Sequence, residues 1–352
     1  MLWLEKYRPK DFESMVGHQN VVSILKKYDL SSIPHLIIHG QSGVGKKTLV
    51  YNLIKHLFGT TSAPKLRTTQ IKAGARTIEV NFLESNEYIE ISPSEYSFQD
   101  KNIIQSVIKE MAQCRPIMSF FTSKKIPSIK LVIITAAQDL TQEAQAALRR
   151  TIEVYSECFR IILICSQLSR IIEPIRSRCV FFRIKGYDNE EISSHLKDII
   201  DKENVSINDE EIHEILGMAE GNMRRAVCLL ELLQFKKNDD MTKRQKIEIC
   251  RLKVDWEIIL DEIASTVRRL QKSDTMIDVR KKLYLLINSC IPPRTILIEL
   301  YKRFISQENV NVIEKIVNLA LIYEERMKLG TKGIYHIEAF IIGCLCIFKG
   351  SI

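Results

Sequence analysis

The chain has 352 residues, of which 45% are apolar and 27% are charged. These values are ordinary for a folded globular protein and exclude a disordered chain, a collagen and a coiled-coil rod. The 51 Lys and Arg against 43 Asp and Glu give a net charge of +8, which permits contact with nucleic acid without requiring it.

The cysteines and the apolar runs bear on the cellular compartment. Nine cysteines, an odd number, include no CxxC pair. We therefore expect neither a disulfide framework nor a zinc site, and reduced thiols in the cytosol or nucleus. The longest uncharged apolar run, 339–348, is too short to cross roughly 30 Å of hydrocarbon and is predicted to be a buried helix. No membrane partner is expected.

The first half of the chain predicts a parallel sheet with helices on both faces. Several short runs are mostly β-branched, aliphatic or aromatic, without the polar alternation of a half-exposed strand, which is typical of strands buried on both sides. These runs are 35–39, 88–91, 131–135, 160–165 and 180–184. Helices are predicted at 46–58, 101–112 and 140–154, whereas the largely polar stretch 60–87 looks like an insertion outside the core.

The second half of the chain predicts helices only, so the fold class is α/β plus all-α. Acidic starts and amphipathic spacing indicate short helices at 188–201, 209–219 and 224–233, and helical periodicity continues beyond Trp256. The predicted division is a parallel α/β domain at 1–185, a small helical domain at 186–238, a basic linker at 239–255 and a helical bundle at 256–352. A solvated helix is equally allowed in the linker.

A glycine-rich segment lies between a predicted strand and a predicted helix, the context that a phosphate-binding loop requires. It reads Gly-Gln-Ser-Gly-Val-Gly-Lys over residues 40–46. The glycines allow backbone N–H groups to surround a polyphosphate, and Lys46 can reach the β- and γ-phosphates. The predicted contacts are Gly40, Ser42, Gly43, Val44, Gly45, Lys46, Lys47 and Thr48. A chance glycine-rich turn is the alternative.

The metal half of such a site is missing from the sequence. The P-loop pattern places a Mg²⁺-binding hydroxyl directly after the lysine, but Lys47 stands there, and Thr48 is turned about 100° away on a helix. Strand 131–134 is followed by Thr135 and Ala136 instead of acids that would hold metal and orient water. Asp139 is predicted to cap the next helix. We expect the site to bind ATP or ADP without hydrolysing it efficiently. The sequence does not decide whether Mg²⁺ accompanies the nucleotide, because Lys47, Thr135 and Ala136 replace the usual metal-site residues. No metal site formed by protein residues alone is expected.

Further segments, together with the P-loop, carry a family resemblance. They are 3–9 (WLEKYRP), 144–151 (AQAALRRT), 177–179 (SRC) and 221–226 (GNMRRA). In this order they resemble motifs of the AAA+ clamp-loader small subunits of replication factor C. The Gly-Lys-Lys-Thr form of the loop and the segment 333–340 are similar to one small-subunit type in particular. The resemblance covers nearly the whole chain, more loosely through 239–273.

The resemblance implies an AAA+ (RecA-like) nucleotide-binding domain, a helical lid and a C-terminal collar for oligomerisation. It also implies a hetero-pentamer with other replication factor C subunits, which uses ATP to open the PCNA sliding clamp and load it on primer–template DNA in the nucleus. Trp3, Tyr7, Arg8 and Pro9 would lie near the nucleotide base, and Arg224 would touch the phosphates of the same nucleotide.

Two groups of residues would act outside the chain's own site if the resemblance holds. Arg178 of the SRC motif would act in trans as an arginine finger on a neighbouring subunit's nucleotide. Lys101, Arg149 and Arg150 would track DNA phosphates without reading sequence. The alternatives are an Arg178 that pairs with a nearby acid and basic residues that are merely exposed. For the whole chain, the alternatives are an autonomous ATPase and a structural scaffold with a vestigial pocket.

Overall fold

The computed structural model describes residues 2–59, 63–73, 76–92, 101, 103, 129–155, 159–205, 207–238, 255–270, 275–306, 310–330, 332–348 and 350. The chain divides into two compact units, Met1–Arg244 and Gln245–Ile352. The finer domain boundaries given above stay a prediction. The predicted helix 101–112, apart from residues 101 and 103, and nearly all of the predicted linker lie outside the described residues.

A mixed, mostly parallel sheet forms the described centre of the N-terminal unit. Its strands are β1 Leu36–Gly40, β2 Lys65–Ala73, β3 Arg76–Glu84, β4 Tyr88–Ile91, β5 Lys130–Ile134, β6 Phe159–Cys165 and β7 Val180–Ile184. They lie in the order β2-β3-β4-β5-β6-β1-β7, and all strands from β4 to β7 in that row pair in parallel. The five predicted strands are thus confirmed.

The central strands are apolar on both faces because each face meets its own layer of helices. On β1, Ile37 belongs to one buried cluster, and Leu36 and Ile38 belong to the cluster on the opposite face. The carboxyl ends of the parallel strands meet at one edge of the sheet, where the P-loop begins after Gly40.

The expectation that 60–87 is an insertion outside the core is wrong. Residues 65–73 and 76–84 form the antiparallel strand pair β2–β3, called the hairpin below, which extends the sheet beyond β4. Val80 is fully buried and Phe82 is 4% exposed, so the hairpin contributes to the core. Its polar appearance follows from its place at the sheet edge, where Leu66 is 70% exposed.

The described helices of the N-terminal unit include the predicted ones at 46–58, 140–154, 188–201, 209–219 and 224–233, together with three short helices that were not predicted. The described helices are α1 Trp3–Lys6, α2 Gln19–Leu25, α3 Lys46–Phe58, α4 Gln142–Val154, α5 Glu173–Arg176, α6 Asn189–Glu203, α7 Asp209–Ala219 and α8 Met223–Asn238. The three that were not predicted are α1, α2 and α5. The predicted cap of α4 is wrong. Thr141 caps this helix by accepting a hydrogen bond from the Ala144 N–H (3.2 Å), whereas Asp139 contacts the side chains of Gln138 and Arg170.

The described part of the C-terminal unit is helical. Its helices are α9 Asp255–Leu270, α10 Thr275–Asn288, α11 Pro293–Ile305, α12 Val310–Leu329 and α13 Gly333–Phe348. The apolar run 339–348 is confirmed as a buried helix, since Phe340, Ile341 and Cys344 on α13 are fully buried. Among the described residues, none of the helices combines the length and apolar character needed to cross a membrane.

Candidate nucleotide site

The P-loop adopts a backbone that its glycines make possible. Gly43 and Gly45 have φ of +75° and +82°, in the left-handed region that favours glycine. A Cβ on Gly43 would stand 1.7 Å from the Asn222 side-chain oxygen, and one on Gly45 would stand 2.9 Å from the Tyr187 hydroxyl. Gly45 is also the N-cap of α3, so the loop delivers its N–H groups to the positive end of a helix.

Lys46 is folded back onto its own loop. Its Nζ donates to the carbonyl oxygens of Gly40 and Gln41, both at 2.6 Å. Burial lowers the pKa of Lys46, and the positive charge of Arg224 adds to the lowering. The Lys46 ammonium thus lies in a partly buried site close to the positive charge of Arg224. An anionic ligand is favoured there, because it would offset both positive charges.

The N-terminal segment fastens this loop to the helices α6 and α8. The Trp3 N–H donates to Glu231 on α8 (3.2 Å), and the Tyr7 hydroxyl donates to Glu203 at the end of α6 (2.6 Å). Arg8 Nε donates to Thr48 Oγ1 on α3 at 3.3 Å. One short segment therefore contacts both sides of the space above the P-loop.

A cavity of about 310 Å³ lies between these elements. Its lining includes most of the predicted nucleotide residues, namely Trp3, Tyr7, Arg8, Pro9, Gly43, Gly45, Lys47, Thr48 and Arg224. The others, Gly40, Ser42, Val44 and Lys46, belong to the loop but are not part of the lining. Burial lowers the pKa of His195, which lines the cavity, so this imidazole is neutral at pH 7. The cavity thus joins an aromatic and apolar part to a phosphate-binding loop.

Sequence reasoning missed part of this lining. The missed residues are Leu4, Glu5, Met15, Val16, Tyr187, His195, Met223 and Val227. Leu4 and Glu5 stand inside the 3–9 box, which could have included them. The rest are apolar or aromatic residues of loops and helices, which look like ordinary core residues in a sequence.

The end of β5 carries hydroxyl and methyl groups in place of acids. The Thr135 Oγ1 lies 2.5 Å from Ser92 Oγ and also donates to the Ile91 carbonyl at 3.3 Å. Ser166, at the end of the neighbouring strand β6, is held through its N–H by the Gln138 side chain (3.0 Å). Among the described residues, no group of three or more His, Cys, Asp or Glu is placed to hold a metal ion.

Arg178 lies outside the lining of this cavity. Its Nη2 is 2.6 Å from Glu153 Oε1 on α4, and its Nη1 donates to the Pro174 carbonyl at 2.8 Å. Glu153 is therefore the nearby acid of the alternative in which Arg178 forms an ion pair within its own chain. Because the arginine and glutamate side chains are 35% and 42% exposed, the ion pair is of the solvated kind that contributes about 0–1 kcal/mol.

The segment leading to Arg178 is fixed by a buried amide. Gln145 on α4 is 2% exposed, and its Nε2 donates to the Leu140 and Arg170 carbonyls, both at 3.1 Å. Its Oε1 accepts from the Ile172 N–H at 2.9 Å. These bonds tie α4 to the chain just before α5 and the SRC motif.

The predicted DNA residues gather around α4, and two of the three lie near a carboxylate. Lys101 Nζ lies 3.3 Å from Glu143 Oε2, and Arg149 Nε lies 3.4 Å from Glu153 Oε1. Arg150 is exposed on the same helix. Glu153 therefore holds both Arg149 and Arg178. The apolar stretch 118–121, considered as a clamp contact, lies outside the described residues.

Comparison with known proteins gives matches along most of the chain. Family models match residues 18–188 (DNA polymerase III, delta subunit), 194–234 (RCF1/5-like, AAA+ ATPase lid domain) and 256–352 (Replication factor C subunit 3, C-terminal domain). A mutant RuvB from Thermotoga maritima has a similar fold, with a TM-score of 0.50 and 15% identity over 73% of this chain and 79% of that one.

Full-length relatives are also found. Replication factor C subunit 3 of Arabidopsis thaliana is 36% identical over 99% of this chain and 98% of its own. Replication factor C subunit 5 of Saccharomyces cerevisiae is 33% identical over 98% and 99%, and subunit 3 of Homo sapiens is 31% identical over 99% and 96%.

The fold and the P-loop cavity thus define an AAA+ P-loop protein with a lid and C-terminal helices. Within that class, the chain belongs to the replication factor C subunit 3/5 family of clamp-loader subunits. The resemblance to one small-subunit type is confirmed by these names, since the type numbered 3 in vertebrates is numbered 5 in budding yeast.

Proposed function

We propose that this chain is a replication factor C subunit that binds ATP or ADP in a site that does not hydrolyse it and supplies Arg178 to a neighbouring subunit. The complex would be a nuclear hetero-pentamer that opens PCNA and loads it on primer–template DNA. One observation carries the proposal. The phosphate-binding half of the site is intact, whereas Thr135 and Ala136 replace the catalytic acids and Arg178 lies outside the lining of the chain's own cavity.

The state of Arg178 fits a residue that acts between subunits. It pairs with the partly exposed Glu153, and such a pair is weak enough to be exchanged for a phosphate. A phosphate of a nucleotide can replace Glu153 because it carries more negative charge and, like a carboxylate, accepts bidentate, charge-assisted hydrogen bonds from a guanidinium. Positive charge there neutralises the charge that develops on a transferred phosphoryl group.

The two alternatives have weaker support. An autonomous ATPase requires acids near the metal and the attacking water, and the end of β5 presents Thr135 and Ala136. A scaffold with a vestigial pocket does not account for a cavity of about 310 Å³ that has the positive charges of Lys46 and Arg224 beside it. The predicted DNA role of Lys101, Arg149 and Arg150 remains part of the proposal, as a sequence-independent contact with phosphates.

The test is the DNA- and PCNA-stimulated ATPase rate of the five-subunit complex with Arg178→Ala. An arginine finger raises the hydrolysis rate about 10³–10⁵-fold at the site it serves. Arg178→Ala should therefore nearly abolish hydrolysis at the neighbour's site and lower the total ATPase rate of the complex. Arg170→Ala is a matched control, since Arg170 also pairs with an exposed acid, Asp139. Both complexes must elute as pentamers. An unchanged rate with Arg178→Ala contradicts the finger and favours the scaffold.

A further inference from the structure

Lys47 occupies the position of the metal-binding hydroxyl and has a partner of its own. It follows Lys46 on the first turn of α3, and its Nζ lies 2.5 Å from Glu90 Oε1 on β4. Glu90 is 4% exposed, whereas the Lys47 side chain is 42% exposed and lines the cavity. A buried carboxylate therefore holds a lysine at the border of the nucleotide cavity.

The second oxygen of this carboxylate is also engaged. The Tyr51 hydroxyl, one turn further along α3, donates to Glu90 Oε2 at 2.5 Å. Burial and the charge of Glu90 raise the pKa of Tyr51, so its hydroxyl remains a donor. The Tyr51 ring in turn faces the Arg8 guanidinium at 5.1 Å and Lys47 Nζ at 5.7 Å. With both oxygens bonded, Glu90 is fixed as the counter-charge of Lys47.

Mg²⁺ does not fit the residues around this position. It requires octahedral oxygen ligands and is usually bound by carboxylates with substrate phosphates. Here the hydroxyls of Thr135 and Ser92 bond to each other, and the Glu90 oxygens are engaged by Lys47 and Tyr51. Lys46 and Arg224 place positive charge beside the loop. The carboxylates Glu90 and Glu5 are already paired with Lys47 and Arg8, so neither is available to a divalent cation.

We propose that the Lys47–Glu90 pair takes the place of the divalent metal, so that this site binds a nucleoside di- or triphosphate without Mg²⁺. The ammonium supplies a fixed positive charge and, with one of its three N–H donors on Glu90, two donors for the phosphates. Glu90 and Tyr51 keep it at the border of the cavity. The inference rests on the nucleotide binding proposed above.

The experiment is a calorimetric titration of ADP into the full-length chain, once with Mg²⁺ and once with EDTA. The wild-type affinity should be the same in both buffers. Lys47→Thr restores the hydroxyl of the P-loop pattern but removes the charge. In EDTA its affinity for ADP should fall by at least about tenfold, which corresponds to ~1.4 kcal/mol. Lys55→Thr is the matched control, because Lys55 lies on the same helix and pairs with Asp11 at 2.7 Å.

The outcomes separate this inference from the proposed function. A wild-type chain that binds ADP with Mg²⁺ but loses affinity in EDTA overturns the role of Lys47 and leaves nucleotide binding intact. A wild-type chain that binds ADP in neither buffer overturns nucleotide binding and this inference with it. Full affinity of Lys47→Thr in EDTA also contradicts the inference. If Lys47→Thr does not fold, the wild-type affinities for ADP in Mg²⁺ and in EDTA test the inference. Glu90→Gln, which keeps the shape of the carboxylate, is the second variant.

Discussion

The two halves of the nucleotide site differ in what they are made of. The phosphate half uses backbone N–H groups, the glycines Gly43 and Gly45, and Lys46, and every part of it is in place. The other half would need carboxylates, and it has Thr135 and Ala136, with Thr135 bonded to Ser92. Binding geometry and hydrolytic chemistry are thus separable in principle, because a P-loop holds phosphate through backbone N–H groups and a lysine, which are independent of the metal-binding acids.

Close to the half that lacks the acids, a buried glutamine holds the chain in place. Gln145 joins α4 to the segment before the SRC motif through hydrogen bonds with Leu140, Arg170 and Ile172. These hydrogen bonds do nothing for a metal ion. They position the chain that carries Arg178, so this half has a structural task that does not depend on hydrolysis in its own cavity.

The largest expected effect is on the phosphate half. Lys46→Ala should weaken ADP binding by about 100-fold, equivalent to ~2.7 kcal/mol, because the loop loses the ammonium that would contact the phosphates. Calorimetry on the full-length chain measures it. Lys55→Ala, on the same helix, should bind as the wild type does. Equal affinities for Lys46→Ala and the wild type would show that the loop is not the binding site.

A smaller effect is expected when the buried glutamine near the other half is removed. Gln145→Ala should lower the free energy of unfolding by about 2 kcal/mol, since buried backbone groups lose their partners. Chemical denaturation of the full-length chain measures this change. Gln142→Ala, at the exposed start of the same helix, serves as the control and should be nearly neutral. A neutral Gln145→Ala would mean that water replaces the amide at no cost.

The smallest effect is expected from restoring one acid. Thr135→Asp should leave the isolated chain without measurable ATP turnover, because Lys47 still stands where the metal-binding hydroxyl is needed. Phosphate release from ATP is the measurement, with Thr135→Val as a control that removes the hydroxyl at similar size. ATP turnover by Thr135→Asp would show that the missing acid alone prevents hydrolysis. The two halves of the site would then differ by one residue.

Much of the fold was predictable because the strands that position the site are buried on both faces. Runs such as 131–134 and 160–165 have no polar alternation, and this pattern identifies a covered parallel sheet. The hairpin β2–β3 escaped prediction because it lies at the sheet edge, where Val80 and Phe82 face the core but Leu66 is exposed. Its largely polar composition is therefore the normal pattern of an edge strand.

The site was predictable only where a local pattern carries the chemistry. The P-loop is such a pattern, and the predicted roles of Trp3 and Arg224 came from the family resemblance. Glu90 carries no such signal, since it is 43 positions from Lys47 and only the folding of β4 beneath α3 brings them together. Tyr187 and His195 likewise reach the cavity through the packing of the helices after β7.

The folded-back Lys46 has a consequence for the thermodynamics of ligand entry. Its ammonium donates to two carbonyl oxygens of the loop at 2.6 Å. An ammonium has three N–H donors, so one remains for a phosphate oxygen unless a carbonyl bond is given up. A phosphate that takes a second donor of Lys46 therefore competes with the backbone of the loop, and the lost bond offsets part of what the new one contributes. We expect Lys46 to add less to nucleotide affinity than a lysine whose three donors all face water.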